Sequence, residues 1–220
     1  MGTWVPELRL SRMQAWLLGL AVTCVAVLAT SLWIDRPVAY LFHSLVGRPR
    51  ILIALRQTPG LFEPVAALAV AILIARRVAS RSVGRPDIVL LLVSLSAVIG
   101  LALKAPLKFM FGRAWPQTLF RHDIYGFYPF QTNAAFGAFP SGHMAAICAA
   151  LSVLWVYYPR FRWFYLVVAI LSAAGLVAAN YHFVGDVIAG AFLGVTSAML
   201  AIHFLDLRRR RRRSSAPARR

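Results

Sequence analysis

Two segments far apart in the chain carry residue types suited to nucleophilic and acid–base chemistry. One is Pro-Ser-Gly-His, which ends at His143, and the other contains His182 and Asp186, four residues apart. At that spacing on a helical turn the carboxylate reaches the imidazole, fixes its tautomer and leaves the second ring nitrogen nucleophilic. His143 is placed to donate a proton to a leaving oxygen. Taken alone, each segment also fits a structural role: an interfacial histidine on a capped helix, or a polar pair at a helix start.

The Pro-Ser-Gly-His segment has the features of a helix start that binds an anion. Pro140 suits the entry to a helix, Ser141 caps it, and Gly142 has no Cβ to cover the backbone amides. Free N–H groups at a helix N-terminus attract negative charge. Because Lys104 and Lys108 precede this segment, we expect an anionic group that the protein neutralises directly, as phosphoryl transfer requires.

A metal-dependent mechanism would compete for the same histidines. Two-metal phosphatases need several carboxylates around their ions. On this face of the protein the chain offers only Asp186 and Asp123. We therefore expect a metal-free reaction, with no metal site and no cofactor.

The composition indicates a membrane protein. Of the 220 residues, 60% are hydrophobic and only 14% are charged, which is more apolar than soluble domains. A bilayer core of about 30 Å needs roughly 20 apolar residues as helix. We predict an all-α, integral-membrane bundle of six transmembrane helices, forming a single domain over residues 1–207. The predicted spans are approximately Gln14 to Trp33, Phe62 to Ile74, Ile88 to Leu103, Gly142 to Tyr157, Trp163 to Asn180 and Val187 to Leu205.

The basic residues predict the orientation in the membrane. Sixteen of the 24 Lys and Arg residues lie on the side that holds both termini, and eight lie on the other. Because cytoplasmic loops carry the excess of positive charge, we expect both termini in the cytoplasm. The two motifs then face outward, to the periplasm if this is a bacterial inner membrane. Residues 208–220 contain eight arginines, and we expect this basic tail to lie on the anionic inner leaflet and not to bind nucleic acid.

At these residues the chain resembles the type 2 phosphatidic acid phosphatase (PAP2) superfamily, integral-membrane lipid phosphatases that share a helical core with vanadium haloperoxidases. The family pattern is Lys, six residues and Arg-Pro; then Pro-Ser-Gly-His; then Ser-Arg, five residues, His, three residues and Asp. Pro140 to His143 matches the second part in full, and His182 with Asp186 matches the end of the third. Order and spacing agree over about Ile88 to Leu205.

The resemblance implies a role for each matching residue. His182 would attack phosphorus to form a phosphohistidine, Asp186 would orient its ring, and His143 would protonate the leaving group and then activate water. The phosphoryl oxygens would be held by Lys108, Ser141 and Gly142. The implied function is hydrolysis of a phosphomonoester or diphosphate on a membrane lipid: an isoprenyl diphosphate, phosphatidic acid, phosphatidylglycerophosphate or a lipid A phosphate.

Two positions depart from the family pattern. Trp115 stands where the first part of the pattern has arginine, and Leu176 stands where the third part has it. Each arginine would supply charge-assisted hydrogen bonds of about 1.5 to 3 kcal/mol to a phosphate oxygen. We expect Arg113, two positions before Trp115, to take over the clamping of phosphate, helped by Arg121 or Asn180.

The missing arginines keep a second class of function open, a non-catalytic lipid- or anion-binding protein or a transporter on the same fold. Transporters often place broken helices and charge near the middle of the membrane, whereas the polar groups here cluster at one interface. A haloperoxidase is disfavoured because those enzymes are generally soluble and need vanadate. The sequence leaves open the lipid and the oligomeric state.

Overall fold

The structure is a computed structural model that describes residues 11–45 and 84–214, with side chains through residue 207. Within these two ranges the chain forms helices and no β-strand. The α-helices are α1 (Arg12–Ala29), α2 (Asp35–Leu45), α3 (Arg85–Phe111), α4 (Pro116–His122), α5 (Gly142–Tyr157), α6 (Arg162–Ala178) and α7 (Val184–Ser214). A π-helical turn, Thr30–Ile34, joins α1 to α2, and 3-10 turns form at Ala134–Phe136 and Pro159–Phe161.

Most of the described helices are apolar enough to lie in a bilayer. Four are also long enough to cross it: Arg12–Leu45, Arg85–Phe111, Pro159–Ala178 and Val184–Leu207. The shorter apolar helix Gly142–Tyr157 has the bounds predicted for the fourth span. These helices confirm the predicted all-α, multi-pass membrane fold. The predicted second span, residues 62–74, lies outside the described residues.

Three helices run further than the predicted spans. Helix α3 extends from Arg85 to Phe111, beyond the predicted Ile88 to Leu103 at both ends. The first apolar helix, Arg12–Leu45, continues past Trp33. Asp35 lies within it and is paired with Arg113 inside the protein. The last, α7, continues past Leu205 to Ser214, so the predicted basic tail begins as helix.

Helices α5 and α7 pack closely against each other, and α3 lies against both of them. Gly190 and Gly194 allow this contact. A Cβ on Gly190 would lie 2.4 Å from the carbonyl oxygen of Ser141, and one on Gly194 would lie 2.3 Å from that of Ala145. Small residues four apart are a common way for membrane helices to approach closely. The packing brings the first turns of α5 and α7, and therefore both motifs, to the same end of the bundle.

The connection between α3 and α5 folds back over the end of α3. Gly112 ends α3 in the left-handed region, with φ of 54°. A Cβ on Gly112 would lie 1.7 Å from the carbonyl oxygen of Tyr128, so only glycine fits this return. At the far end of the connection, the amide of Ser141 donates to the carbonyl oxygen of Asp186 at 3.0 Å. This bond holds the start of α5 against the start of α7.

Large apolar side chains cover much of the outer surface of the described helices. Trp163 and Leu171 on α6 are 80% and 66% exposed, and Leu32 on the first helix is 70% exposed. Contiguous apolar surface of this kind is unfavourable in water. Its position on the outside of long apolar helices fits contact with lipid.

Candidate active site

The structure brings His143 and His182 together at one end of the bundle. Their ring centroids are 5.9 Å apart and the rings are inclined by 72°. His143 stands in the first turn of α5, and His182 lies just before α7. Both side chains are buried, at 6% and 2% exposure. A reacting group between the two rings would therefore be shielded from bulk water.

His182 faces the carboxylate of Asp186, as the spacing of the two residues predicts. The distance from Nδ1 to Oδ2 is 3.5 Å, longer than an ordinary hydrogen bond but typical of catalytic pairs without substrate. Burial lowers the pKa of His182, although Asp186 acts in the opposite direction. The ring is therefore neutral near pH 7, although a hydrogen bond with the backbone of Ala138 also acts on it. A neutral imidazole has one unprotonated nitrogen, which can act as a nucleophile.

The start of α5 carries the predicted cap. The hydroxyl of Ser141 accepts from the amide of Met144 at 3.3 Å, which leaves the amides of Gly142 and His143 without a partner inside the helix at its first turn. Nε2 of His143 is buried and has no hydrogen-bond partner among the described residues. Buried polar atoms are nearly always paired, so this nitrogen is suited to an incoming polar group such as a phosphate oxygen.

Two lysines on one side of α3 lie beside this helix start. The ammonium group of Lys108 donates to the carbonyl oxygen of Gly137, and both Lys104 and Lys108 are near enough to act electrostatically on His143. Nζ of Lys104 lies 3.4 Å from the point that a Cβ on Gly142 would occupy. Lys104 stands one helical turn before Lys108 and lies outside the family pattern. Its place beside Gly142 makes it a second cation of the site.

The two positions without the family arginine hold packed apolar side chains. The ring of Trp115 lies 5.1 Å from the ring of His182 and 5.0 Å from the ammonium nitrogen of Lys108. Leu176 packs against the buried side chains of Met144 and Val187. Trp115 therefore borders the site, whereas Leu176 belongs to the core behind it.

Arg113, predicted to bind phosphate, is held by two carboxylates in the structure. It is fully buried, and its two terminal nitrogens donate to Asp186 at 2.8 Å and to Asp35 at 2.5 Å. With both terminal nitrogens held by carboxylates, Arg113 stands behind Asp186 and not beside the facing histidines. The two predicted helpers also point elsewhere. The side-chain amide of Asn180, in the orientation that satisfies it, donates to the carbonyl oxygen of Ala39 and accepts from the backbone amide of His43. The side chain of Arg121 is exposed.

Two further residues lie in the site although no motif marks them. Asp35 is buried beside Arg113, and a lone carboxylate next to an apolar membrane helix is the signal that could have identified it, because such a group is costly there. Tyr181 contacts both histidine rings, with centroid distances of 4.8 Å and 5.0 Å. Aromatic residues are common at membrane interfaces, so the sequence offers no comparable signal for Tyr181.

Metal binding has no obvious donor set in the part of the chain that the structure describes. Across residues 11–45 and 84–214, no three His, Cys, Asp or Glu side chains are grouped so that they could hold a metal ion. The metal-free mechanism stays a prediction that an assay can test.

A family model described as the PAP2 superfamily matches residues 88–210. The chain belongs to the PAP2 superfamily. This membership confirms the predicted resemblance. The PAP2 match contains both histidines, Asp186 and the two lysines, but it excludes the first helix, the apolar Arg12–Leu45, and with it Asp35.

Individual proteins are similar to parts or to most of this chain. A lipid A 1-phosphatase of Rhizobium etli is 37% identical over 97 residues, which are 44% of this chain and 42% of that protein. A lipid A 1-phosphatase of Rhizobium johnstonii is 33% identical over 94 residues, 43% of this chain and 38% of that protein. The matches thus span about two fifths of these relatives. The crystal structure of a transmembrane PAP2-type phosphatidylglycerolphosphate phosphatase from Bacillus subtilis has a TM-score of 0.52 at 16% identity, covering 93% of this chain and 98% of that one, which shows a shared fold.

Proposed function

We propose that this PAP2 protein is a metal-independent phosphatase that hydrolyses a phosphomonoester or diphosphate of a membrane lipid. The observation that carries the proposal is the facing pair His143 and His182, 5.9 Å apart between ring centroids. One ring is backed by Asp186, and the other lies at a capped helix start near two lysines. This arrangement supports a nucleophile, a proton donor and an anion site acting on one phosphate group.

The reaction proceeds through a phosphohistidine. His182 attacks phosphorus through Nε2, because its Nδ1 faces Asp186. As the P–N bond forms, the P–O bond to the lipid breaks, and His143 gives its proton to the leaving oxygen. His143 then takes a proton from water, the water oxygen attacks phosphorus, and the P–N bond breaks. Inorganic phosphate leaves and His182 is free again.

The charge that develops on the phosphoryl oxygens is met by cations and backbone amides. Lys108 and Lys104 supply positive charge, and the amides of Gly142 and His143 point from the start of α5. Ser141 adds a hydroxyl group at the same helix start. Fixed donors of this kind in a buried site are usually the largest contribution to the rate of such a transfer.

The substrate class is a phosphorylated lipid. The site lies at the ends of helices that cross the bilayer, where the phosphate of a lipid headgroup is found. The two rhizobial relatives are named for the 1-phosphate of lipid A, and this favours lipid A among the candidate substrates. Phosphatidic acid, phosphatidylglycerophosphate and isoprenyl diphosphates are the other members of the class.

The distribution of basic residues supports the orientation proposed for the enzyme. With the arginine excess in the cytoplasm, both termini are cytoplasmic and the site faces the periplasm of a bacterial inner membrane. Residues 1–207 form the phosphatase domain. The basic residues 208–220 lie on the anionic inner leaflet.

The proposal is tested by phosphate release from the purified protein in detergent with a metal chelator present. The panel contains lipid A 1-phosphate, phosphatidic acid, phosphatidylglycerophosphate and an isoprenyl diphosphate. We expect release from at least one lipid, and its loss in His182→Asn. The matched control is His203→Asn, an exposed histidine on α7, which should keep the wild-type rate. Release from no lipid would favour the binding protein or transporter instead.

A second experiment looks for the intermediate. His143→Ala should slow lipid turnover by about 10²- to 10⁴-fold, the usual value of acid–base help. An aryl phosphate has a leaving group that needs no proton, so it should still phosphorylate this variant. We expect an acid-labile, alkali-stable phosphoenzyme to accumulate in His143→Ala and to be absent when His182 is also replaced.

A further inference from the structure

Arg113 is a fully buried cation that joins two buried carboxylates. Its exposure is 0%, and those of Asp35 and Asp186 are 1% and 0%. Nη1 of Arg113 donates to Oδ1 of Asp186 at 2.8 Å, and Nη2 donates to Oδ2 of Asp35 at 2.5 Å. Nε of Arg113 has no hydrogen-bond partner among the described residues, so the bonds of the terminal nitrogens must offset the cost of burying the guanidinium. The pairing therefore links the start of α7 to the first helix through one side chain.

The two oxygens of Asp186 have separate partners. Oδ1 accepts from Arg113, whereas Oδ2 accepts from the amide of Phe183 at 3.0 Å and faces Nδ1 of His182 at 3.5 Å. A carboxylate held on both oxygens cannot turn about its own axis without breaking a bond. Arg113 thus fixes which oxygen of Asp186 is directed at His182.

Asp35 holds the same region by a second route. Its Oδ1 accepts from the amide of Gly185, the residue before Asp186, at 3.1 Å. A Cβ on Gly185 would lie 2.8 Å from Oγ1 of Thr30 and 3.0 Å from Nη1 of Arg113. Glycine at this position lets the start of α7 approach the first helix. Asp35 consequently fixes both the guanidinium and the backbone next to Asp186.

The surroundings of Arg113 leave it little freedom. Nη2 also donates to the hydroxyl of Ser31 at 3.1 Å, and Tyr125 donates to the carbonyl of Ser31 at 2.6 Å. The rings of Phe127 and Phe183 lie 4.7 Å and 4.9 Å from the guanidinium carbon, within the range of cation–π contact. Ser31 belongs to the π-helical turn Thr30–Ile34, and such turns are frequent at functional sites.

We infer that Arg113 and Asp35 are positioning residues of the phosphatase reaction, which hold the carboxylate of Asp186 in the orientation that directs it at His182. This inference rests on the proposed function. Arg113 and Asp35 act through Asp186 and touch no substrate atom. The first helix is then part of the active site, although the family match begins at residue 88. This role replaces the clamping of phosphate predicted for Arg113.

The test compares kcat and KM for Arg113→Gln and Asp35→Asn with wild type. Misplacement of a catalytic group costs up to about 10²-fold in rate, so we expect kcat to fall by about 10- to 100-fold with KM changed by less than about threefold. In an Asp186→Asn background Arg113→Gln should lower kcat by less than about twofold more, because it acts through Asp186. Arg36→Gln, which changes a half-exposed arginine next to Asp35, is the control and should keep wild-type kinetics.

The outcomes separate this inference from the proposed function. If the wild-type protein releases no phosphate, both the proposed function and this inference are contradicted. With an active wild type, a raised KM at unchanged kcat in Arg113→Gln would make Arg113 a phosphate clamp and overturn the inference. The inference would also be overturned if Arg113→Gln lowered kcat as much in the Asp186→Asn background as it does in wild type. If Arg113→Gln does not fold, Asp35→Asn decides: an unchanged kcat in that isosteric variant contradicts the positioning role.

Discussion

The indole ring of Trp115 packs against the imidazole of His182, with 5.1 Å between the ring centroids. The position of Trp115 is one at which the family pattern has an arginine. The same ring lies 5.0 Å from the ammonium nitrogen of Lys108, and its Nε1 donates to the carbonyl of Ala134 at 2.8 Å. A residue type that would bind phosphate is thus replaced by one that packs against His182, the proposed nucleophile, and against a neighbouring lysine.

Trp115→Ala is therefore expected to lower kcat by about tenfold, because the ring of His182 loses the packing contact that restricts its orientation. Trp115→Phe keeps an aromatic face and should retain kcat within about threefold. The measurement is steady-state phosphate release. Trp163→Ala removes a tryptophan that is 80% exposed on the outside of α6, and this control should keep full activity. Equal losses in the alanine and phenylalanine variants would contradict the packing role.

Lys104 is expected to supply part of the positive charge that the missing arginines would bring. Its Nζ lies 3.4 Å from the point that a Cβ on Gly142 would occupy, so a phosphate at the start of α5 comes within its reach. We expect Lys104→Met to raise KM by about 10-fold, the effect of one charge-assisted hydrogen bond. Arg121→Gln removes an exposed cation near the same end and should leave KM unchanged. An unchanged KM in Lys104→Met would exclude the contact.

The parts of the site that depend on local sequence were predictable, and those that depend on tertiary contacts were not. The start of α5 follows from the cap residues around Ser141, and it lies where the sequence predicts it. The carboxylate–imidazole pair follows from residues one helical turn apart. Arg113 and Asp35, in contrast, are 78 residues apart in the chain. Nothing local indicates that they meet, so the sequence predicts phosphate contact for Arg113 from its place two residues before Trp115, where the family pattern has arginine.

The acid side of the pH–rate profile reports the protonation of His182 under the proposed mechanism. Only the neutral imidazole attacks phosphorus, and burial holds the pKa of His182 below its ordinary value of 6.5. As the pH falls through that lowered pKa, the nucleophile becomes protonated. We expect kcat/KM for an aryl phosphate to fall on the acid side only below pH 6.5.

Asp186→Asn separates this titration from the ionisation of the substrate. The carboxylate of Asp186 acts to raise the pKa of His182, so its removal lowers that pKa further. The acid limb should move to lower pH, at a reduced overall rate, whereas the substrate ionises identically with both proteins. An acid limb at the same pH in wild type and Asp186→Asn would assign it to the substrate and contradict the prediction.

The contact between α5 and α7 predicts a stability effect that is independent of catalysis. A Cβ on Gly194 would lie 2.3 Å from the carbonyl oxygen of Ala145 and 2.8 Å from the amide nitrogen of Ala149, so the helices must separate to admit it. Gly194→Ala should lower the free energy of unfolding by about 1 to 3 kcal/mol, the usual cost of overpacking, and reduce the midpoint of thermal unfolding in detergent. A Cβ on Gly175 in α6 meets nothing within 4 Å, so Gly175→Ala should be neutral or stabilising by about 0.5 to 1 kcal/mol. Similar midpoints for the two variants would mean that the glycine contact does not hold α5 against α7.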